Sequence, residues 1–328
     1  MEKLTGFARV RRYWPQYKWS NVWEMIKNNS LPPKDCSQGF RGRLVVITGA
    51  TSGIGYYTAR RYAAAGADIL AINRNADKSQ VLCEEIRRDL GVQCDAIVAD
   101  LSVLADIHRA AQELRSLSRP IDVLIHNAGV FLKKRTLTVD GLETSFVVHY
   151  LSTFIINYML MDKLRQEGRA RVLYVSSEGY RFALWGLDLD NLQFERGGYS
   201  GLKAYGAAKT AQMLSMHRFA KLFEGSGVTI NAMHPGMVAT NTGNENHAFY
   251  RWYKKNVIDR YSQSPKVSAE ALYYLGVSPE LAGVTDRFFN LTAPEELAPQ
   301  ARDMEMADLL WPISMELGKL SGPSVPVA

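Results

Sequence analysis

Tyr205 and Lys209 are the two residues of this sequence whose types and spacing most directly allow chemistry. They stand four positions apart in Tyr-Gly-Ala-Ala-Lys, and on a helix this spacing places both side chains on one face. A tyrosine hydroxyl has an ordinary pKa of about 10, and a neighbouring ammonium group lowers that pKa by favouring the phenolate. The pair is therefore suited to exchange a proton with a substrate hydroxyl. Taken alone, the same spacing is also typical of a solvated pair on a helix surface.

Ser176 and Ser177 follow a predicted strand ahead of this helix. A serine hydroxyl at that position can hydrogen-bond the same substrate oxygen that the tyrosine would protonate. The serine, tyrosine and lysine together indicate a site that polarises one oxygen atom of a substrate.

A glycine-rich turn, Thr-Gly-Ala-Thr-Ser-Gly-Ile-Gly, lies between the first predicted strand and the first predicted helix. Glycines allow the backbone to approach a ligand closely, and a helix N-terminus offers free N–H groups to a pyrophosphate. Because the spacing G-x-x-x-G-x-G differs from the general dinucleotide fingerprint, the turn alone is also compatible with a tight strand-to-helix connection. Its candidate binding residues are Gly49, Thr51, Ser52, Gly53, Ile54 and Gly55.

The end of the second predicted strand bears on which dinucleotide is bound. An NAD-preferring site places Asp or Glu there on the ribose 2′-hydroxyl, but this strand runs into Asn73 and Arg74. Arg74 can pair with a 2′-phosphate, with Ser52 or Asn73 as a secondary donor. The sequence therefore favours NADP(H) over NAD(H). A solvated charge at the start of the next helix is the alternative role of Arg74.

Two further segments follow predicted strands at their carboxyl ends, where ligands bind in open α/β sheets. The first is Asp100-Leu101, and the second is Asn127-Ala128-Gly129. Asp100 is equally suited to cap the helix that starts near Ser102.

These segments need a parallel sheet to bring them to one edge, and the chain alternates β-branched runs with helix-compatible segments as such a sheet requires. Seven strands are predicted, and the fold class is α/β: one doubly wound Rossmann-type domain with a mostly parallel seven-stranded sheet. The predicted strands are 43–48, 67–72, 93–99, 121–126, 171–175, 229–233 and 287–291, and the predicted helices are 53–66, 76–90, 102–118, 141–167 and 203–224.

The predicted domain spans 41–320, between an extension at 1–40 and a loose tail at 321–328. The extension is basic and aromatic, with an apolar stripe at helical spacing beside lysines. Such a stripe suits a membrane interface, but we favour packing of the extension on its own domain or on a partner subunit. Long aromatic insertions near 178–204 and 240–268 are the candidate substrate loops. Their aromatic residues are the candidate walls of a substrate pocket: Tyr180, Phe182, Trp185, Phe249, Tyr250, Trp252 and Tyr253.

Composition excludes several classes of protein. Three scattered cysteines give neither a disulfide framework nor a metal site, so we expect no metal and a reducing, cytoplasmic location. The net charge of +6 is concentrated before residue 30, and no nucleic-acid-reading motif accompanies it. Apolar stretches are interrupted before the length that spans a bilayer, which leaves peripheral contact through 1–40 as the only predicted membrane interaction.

Over residues 41–320 the sequence resembles the classical short-chain dehydrogenases/reductases. The family pattern T-G-x-x-x-G-x-G matches Thr48–Gly55, N-A-G matches Asn127–Gly129, and P-G matches Pro235 and Gly236. The resemblance implies that Ser177, rather than Ser176, acts with Tyr205 and Lys209 in catalysis, and that Tyr205 and Lys209 also contact the cofactor. It further implies that Pro235, Gly236, Val238 and Thr240 close around the nicotinamide. Other segments are similar to the retinol dehydrogenase and protochlorophyllide reductase-like branch.

His149 departs from the family pattern, because it stands where the family usually has an asparagine that holds a water on the path to the lysine. An imidazole can also donate and accept hydrogen bonds and can titrate near neutrality. Two interpretations stay open: a catalytic role for His149 in a proton relay, or a packed helix residue.

The predicted function is that of an NADP(H)-dependent oxidoreductase that interconverts a carbonyl and an alcohol on a small hydrophobic substrate, with Tyr205 as general acid and base. Reduction of a conjugated C=C bond by the same tyrosine is one alternative, and a non-catalytic NADP(H)-binding sensor or scaffold is the other. The resemblance also implies a homo-oligomer through the helices at 141–167 and 203–224, unless the tail at 321–328 covers those faces.

Overall fold

The chain folds around a single sheet, seen in a computed structural model that describes residues 11–18, 23, 27–28, 31–184, 186–236 and 263–322. The central strands are runs of Val, Ile and Leu that are buried on both faces, as parallel strands covered by helices must be. The strands are β1 (Leu44–Thr48), β2 (Asp68–Asn73), β3 (Cys94–Val98), β4 (Val123–His126), β5 (Arg171–Val175), β6 (Thr229–His234), β7 (Arg287–Asn290) and β8 (Ala293–Glu295).

The sheet order is β3-β2-β1-β4-β5-β6-β7-β8. Strands β1 to β7 are parallel, and β8 pairs antiparallel with β7. The order reverses between β1 and β4, so that the connections leaving these two strands diverge and open a crevice at their carboxyl ends. The Rossmann-type, mostly parallel sheet is confirmed, and the crevice opens at the carboxyl ends of β1 and β4, which lead into the glycine-rich turn and Asn127.

The helices form one layer on each face of the sheet. They are α1 (Gly53–Ala64), α2 (Ala76–Leu90), α3 (Leu104–Arg115), α4 (Thr144–Glu167), α5 (Gly201–Leu222), α6 (Pro265–Val277) and α7 (Met304–Leu317). One apolar core contains residues of α3, α4, α5 and α7, and the other contains residues of α1, α2 and α6. Helix α4 has a π-helical turn at Val147–Leu151.

Helix α4 is long and apolar enough to cross a membrane by length and composition, although the interrupted apolar stretches led us to expect no such segment. Its most apolar window is 78% buried inside the protein. The helix packs against α3 and within the core of the first layer, so it serves as a core helix in this fold.

The predicted strand count of seven is wrong by one. Strand β8 has three residues and contains Pro294, and so short a segment with a proline carries no alternating pattern. Helices α6 and α7 were also missing from the predicted elements. Helix α7 contains Pro312, a residue that ordinarily ends a helix, and most of α6 is buried, which leaves little polar face to set its period.

The described part of the N-terminal extension packs on its own domain. Arg12 pairs with Asp303 at 2.7 Å, and the Tyr13 hydroxyl donates to the same carboxylate at 2.7 Å. The Tyr17 hydroxyl donates to Gln300 Oε1 at 2.6 Å. Most of the predicted apolar stripe, Trp19, Val22 and Ile26, lies outside the described residues, as does the tail from 323 to 328.

Helix α7 covers α4 and α5 through Trp311. The Trp311 ring lies 4.8 Å from that of Phe154 and 5.1 Å from that of Phe219, measured between centroids. Arg218 adds an ion pair of 2.8 Å to Asp308. The C-terminal helix therefore occupies part of the surface that the sequence assigned to subunit contacts.

We expect Trp311→Ala to lower the free energy of unfolding by about 3–5 kcal/mol, because a buried indole leaves a cavity when it is removed. Urea unfolding followed by circular dichroism measures this change. Trp23→Ala is the matched control, since Trp23 is 70% exposed, and it should shift the free energy by less than about 0.5 kcal/mol. Equal losses in the two variants would contradict the assigned packing.

Candidate active site

The glycine-rich turn between β1 and α1 can pack against strand β4 only because two of its glycines lack side chains. Gly49 has φ +70°, and a Cβ there would lie 2.9 Å from the Cα of Ala128. A Cβ on Gly55 would lie 2.2 Å from the Gly49 carbonyl oxygen and 2.5 Å from Asn127 Nδ2. Gly53 has φ +56° and open space around it. The turn therefore presents bare backbone at the N-terminus of α1, which fits a pyrophosphate.

Asn127 and Thr48 join the turn to strand β4. The Asn127 side-chain amide donates to the carbonyl oxygens of Thr48 and Gly49 at 3.0 and 2.9 Å. The Thr48 hydroxyl accepts from the backbone N–H groups of Asn127 and Ala128 at 2.9 and 3.0 Å. The Asn-Ala-Gly segment thus holds the turn in shape. Thr48 was missing from the predicted site residues, although it begins the motif that was quoted for them.

Arg74 and Ser52 lie at the ribose side of the turn with their polar groups available. Arg74 is exposed and makes no hydrogen bond or ion pair with the described residues. Ser52 is the N-cap residue of α1 and makes no side-chain capping bond. Asn73, the other predicted secondary donor, instead accepts from the Ala50 N–H at 2.7 Å and is buried beneath the turn.

Asp100 closes a turn ahead of α3, whose N-cap residue is Val103, so the predicted capping role of Asp100 is wrong. Its Oδ1 accepts from the backbone N–H and the hydroxyl of Ser102, at 2.8 and 2.7 Å. The side chain of Leu101 is buried in the core of the first layer. Contact of this segment with a cofactor would therefore involve the backbone, or the remaining oxygen of Asp100, and stays a prediction.

Lys209 is buried on α5 without a carboxylate partner among the described residues. Its ammonium group donates to the Val175 carbonyl oxygen at 2.8 Å and to Gln212 Oε1 at 3.4 Å. Burial lowers the pKa of Lys209 to about 7. A cation held this way is unsaturated, because an ammonium group has three donors and one of them is left for a ligand.

The Tyr205 ring lies between His149, Phe131 and the backbone of Gly179. The Tyr205 centroid is 5.0 Å from that of His149 and 6.0 Å from that of Phe131, both in edge-on contact. A Cβ on Gly179 would lie 2.5 Å from Tyr205 Cε1. Burial raises the pKa of Tyr205, and a hydrogen bond from Ser177 opposes this rise. The Lys209 ammonium lies 5.9 Å from the Tyr205 ring centroid, and because the net change of the Tyr205 pKa is upward, the effect of burial dominates.

Ser177 rather than Ser176 lies beside the tyrosine. The Ser177 hydroxyl oxygen accepts from the Gly179 N–H at 3.0 Å and interacts with Tyr205. Ser176 is buried, and its hydroxyl has no hydrogen-bond partner among the described residues. The geometry therefore brings Ser177, Tyr205 and Lys209 together, as the sequence predicts.

His149 lies in the π-helical turn of α4 and contacts the loop after β4. Its Nε2 is 2.6 Å from the Val130 carbonyl oxygen, and a Cβ on Gly129 would lie 2.6 Å from its Cε1. Burial, aided by the charge of Lys209, lowers the pKa of His149 to about 3. The imidazole is therefore neutral at physiological pH, and it does not titrate near neutrality as the sequence suggested.

The end of β6 completes the described part of the site. His234 is followed by Pro235 and Gly236, and the Pro235 carbonyl oxygen accepts from the Ser268 hydroxyl at 2.6 Å. Gly236 has φ +77°, which suits a turn that leaves the sheet edge. The predicted nicotinamide contacts at Val238 and Thr240 lie outside the described residues.

A phosphate-binding turn, a crevice at a strand-order reversal and a serine–tyrosine–lysine group define a dinucleotide-dependent oxidoreductase. The comparisons agree with this class. The family model for short chain dehydrogenase matches residues 43–185. The chain is 32% identical to human retinol dehydrogenase 13 over 289 residues, spanning 87% of each protein.

It is also 31% identical to mouse retinol dehydrogenase 14 over 312 residues, spanning 89% of this chain and 92% of the relative. A solved structure described as an NAD(P) dependent gluconate 5-dehydrogenase from Beutenbergia cavernae, with bound NADP at low occupancy, is 25% identical and has a TM-score of 0.62. It covers 77% of this chain and 96% of its own. The chain belongs to the short-chain dehydrogenase/reductase family, in its retinol dehydrogenase-like branch, and is an oxidoreductase that uses a nicotinamide cofactor.

Gly55→Ala tests the glycine turn. We expect it to destabilise the fold by about 1–3 kcal/mol, because the added methyl group overlaps backbone that cannot move aside, and to abolish dinucleotide binding. Thermal unfolding and fluorescence titration with NADPH measure the two effects. Gly39→Ala is the control, since a Cβ there meets nothing within 4 Å. If Gly55→Ala bound NADPH as tightly as the wild type does, the glycine turn would be excluded as the pyrophosphate-binding site.

Proposed function

We propose that this protein is an NADP(H)-dependent oxidoreductase that interconverts a carbonyl and an alcohol on a small hydrophobic substrate. The observation that carries the proposal is the grouping of Ser177, Tyr205 and buried Lys209 beside the phosphate-binding turn. Tyr205 is the general acid in reduction and the general base in oxidation.

Ser177 and Tyr205 act on one substrate oxygen, and Lys209 acts on the cofactor beside them. Ser177 donates a hydrogen bond to that oxygen, and the Tyr205 hydroxyl gives it a proton during reduction or removes one during oxidation. Lys209 lies one helical turn after Tyr205, and the third N–H donor of its ammonium group suits a ribose hydroxyl of the cofactor. The bound nicotinamide supplies or accepts the hydride. A raised pKa keeps Tyr205 protonated, which favours its role as an acid.

His149 acts in this proposal as a neutral hydrogen-bonding residue. Its Nε2 is engaged by Val130, and its Nδ1 is buried without a partner among the described residues. That nitrogen could receive or donate one hydrogen bond on the path to Lys209 without any change of charge.

Arg74 supports NADP(H) over NAD(H). Its guanidinium is exposed at the carboxyl end of β2 and has no partner in the described part of the chain. No acidic side chain ends this strand, where an NAD-specific site has one. Bound NADP in the similar gluconate 5-dehydrogenase structure agrees with this preference.

A hydrophobic substrate is supported by the surroundings of Tyr205. Phe131 contacts the tyrosine ring, and Phe182 and Leu184, 52% and 45% exposed, follow the Ser177 turn. Tyr180, an expected pocket wall, is instead buried against Phe288. The names of the retinol dehydrogenase relatives point to substrates of this kind. The other expected walls, Trp185, Phe249, Tyr250, Trp252 and Tyr253, lie outside the described residues.

The alternatives differ in what supports them. Reduction of a C=C bond would use the same tyrosine and remains open to a substrate test. A non-catalytic sensor or scaffold gains no support, because the complete catalytic group is assembled. The cover of α7 over α4 and α5 leads us to infer that any oligomer forms through other surfaces.

Cytoplasmic location and peripheral membrane contact both stay predictions. Trp14 and Trp23 are 67% and 70% exposed on the described part of the extension. Exposed indoles beside the basic side chains of Arg11 and Lys18 suit a headgroup region.

Tyr205→Phe should reduce kcat for NADPH-dependent reduction of apolar aldehydes and ketones by about 10²–10⁴-fold, because it removes the proton donor. NADPH affinity should stay within about twofold, since the ring packing is kept. A panel that also contains conjugated enones separates carbonyl from C=C reduction. Tyr158→Phe, on the far side of α4, is the control. Turnover that survives in Tyr205→Phe would rule out the assigned role.

Arg74→Ala should weaken NADPH binding by about tenfold or more and leave NADH binding unchanged, because a charge-assisted bond to the 2′-phosphate contributes about 1.5–3 kcal/mol. Titration of both dinucleotides by intrinsic fluorescence measures the ratio. Arg88→Ala removes an exposed arginine from the adjacent helix and should change neither affinity. A parallel loss for both dinucleotides would argue against the 2′-phosphate contact.

A further inference from the structure

Two carboxyl groups, that of Glu295 fully buried and that of Glu178 16% exposed, share one guanidinium directly behind Ser177. Glu178, the residue after Ser177, accepts a short bond from Arg181 Nε. Arg181 also pairs with Glu295 of β8 at 3.0 Å, and the Glu295 side chain is fully buried. One positive charge thus faces two carboxyl groups, and burial of an uncompensated charge is costly.

The contacts of the two carboxyl groups indicate that one of them holds a proton. Glu178 Oε1 is buried and receives no hydrogen bond from a donor group among the described residues. The Glu178 carboxyl group lies within hydrogen-bonding reach of that of Glu295, and both carboxyl groups pair with the one guanidinium of Arg181. Two carboxylates only accept hydrogen bonds, so they bond to each other only when one is protonated.

The groups that face this pair supply no second positive charge. His234 of β6 lies against the Glu178 backbone, with 3.4 Å between Glu178 N and His234 Nδ1. Burial and the charge of Arg181 lower the pKa of His234 to about 4, so it is neutral. Asn290 of β7 and Asn28 of the N-terminal extension donate amide hydrogens to Glu295 at 3.3 and 3.5 Å.

Two tyrosines complete the surroundings of Arg181. The Tyr180 ring lies beneath its guanidinium, with 5.0 Å to the centroid. Tyr17 of the extension interacts with the same charge. Both hydroxyls are neutral, because burial raises the pKa of each. Among the described groups, a proton is thus the remaining way to balance the second carboxyl group.

The turn that carries Glu178 also sets the catalytic geometry. The Ser177 hydroxyl accepts from the Gly179 N–H, and the Gly179 backbone packs on the Tyr205 ring. A displacement of Glu178 would therefore move Ser177 relative to Tyr205.

We propose that Glu178 and Glu295 form a carboxyl–carboxylate pair that holds one proton and thereby fixes the turn of Ser177 against Tyr205. Glu178 is a positioning residue in this arrangement, and its effect on turnover rests on the proposed function. Loss of the proton leaves two adjacent anions that repel each other and loosen the turn. Burial first, and then the charge of Glu295, raise the pKa of Glu178 to about 7 against the opposing effect of Arg181.

The stability test is independent of activity. A carboxyl group whose pKa is raised by folding contributes stability below its unfolded pKa and loses that contribution as the pH rises through its folded pKa. We therefore expect the melting temperature of the wild type to fall relative to that of Glu178→Gln between pH 5 and pH 8. Glu296→Gln, which removes a neighbouring surface carboxylate paired with Arg302, should show no such trend. A difference between wild type and Glu178→Gln that does not change with pH would overturn the proposal.

The kinetic test uses glutamine as a stand-in for the protonated acid, since an amide donates a hydrogen bond at every pH. Wild-type kcat/KM for carbonyl reduction should decline as the pH rises through neutrality, and Glu178→Gln should keep the activity measured at pH 6 without this decline. The kcat/KM of Glu178→Ala should be about tenfold lower at every pH, because this variant loses one hydrogen bond to a charged group.

Lys209 titrates in the same pH range. If kcat/KM still declines with pH in Glu178→Gln, the decline is due to that lysine, and the positioning role of Glu178 is refuted. If no carbonyl is reduced by any form, the proposed function fails, and the melting curves still decide whether Glu178 holds a proton.

Discussion

Hydrogen bonds between Thr48 and the Asn127–Ala128 segment hold β1 and β4 together at the point where the strand order reverses. The glycine turn leaves from one of these strands and the loop to His149 leaves from the other. Asn127 also donates a hydrogen bond to the Gly49 carbonyl oxygen. The glycine turn and the loop that leads to His149 are therefore held at fixed positions relative to each other. The position of each functional group is set relative to this junction.

Burial determines the protonation states of the two ionisable groups in the site, Lys209 and Tyr205. Burial lowers the pKa of Lys209 to about 7 and raises that of Tyr205. Tyr205 is therefore neutral at physiological pH, and Lys209 is partly protonated. A ligand that accepts the free donor of Lys209 would favour the charged form of the lysine, and this charge would in turn lower the pKa of Tyr205.

Most of the sheet and of the central site followed from local sequence patterns. Most of the seven predicted strands are apolar or β-branched runs long enough to show their burial. The glycine turn and the Tyr-x-x-x-Lys spacing are likewise patterns of a few residues. Features that depend on distant partners were not predictable. Strand β8, for example, exists because β7 pairs with it. The neutrality of His149 follows from burial that the sequence does not display.

The sequence shows Glu178 and Arg181 three residues apart, a spacing that allows an ion pair. It does not show that a second carboxyl group shares the same arginine. Such a pair on a surface contributes little, and only the approach of Glu295 from the far edge of the sheet makes it a charge imbalance. The same edge is held by Asn28, while Tyr17 contacts the loop after the Ser177 turn. The N-terminal extension and strand β8 therefore both contact the segment that follows Ser177, through Tyr17 and Glu295. These contacts come from segments outside the central parallel sheet.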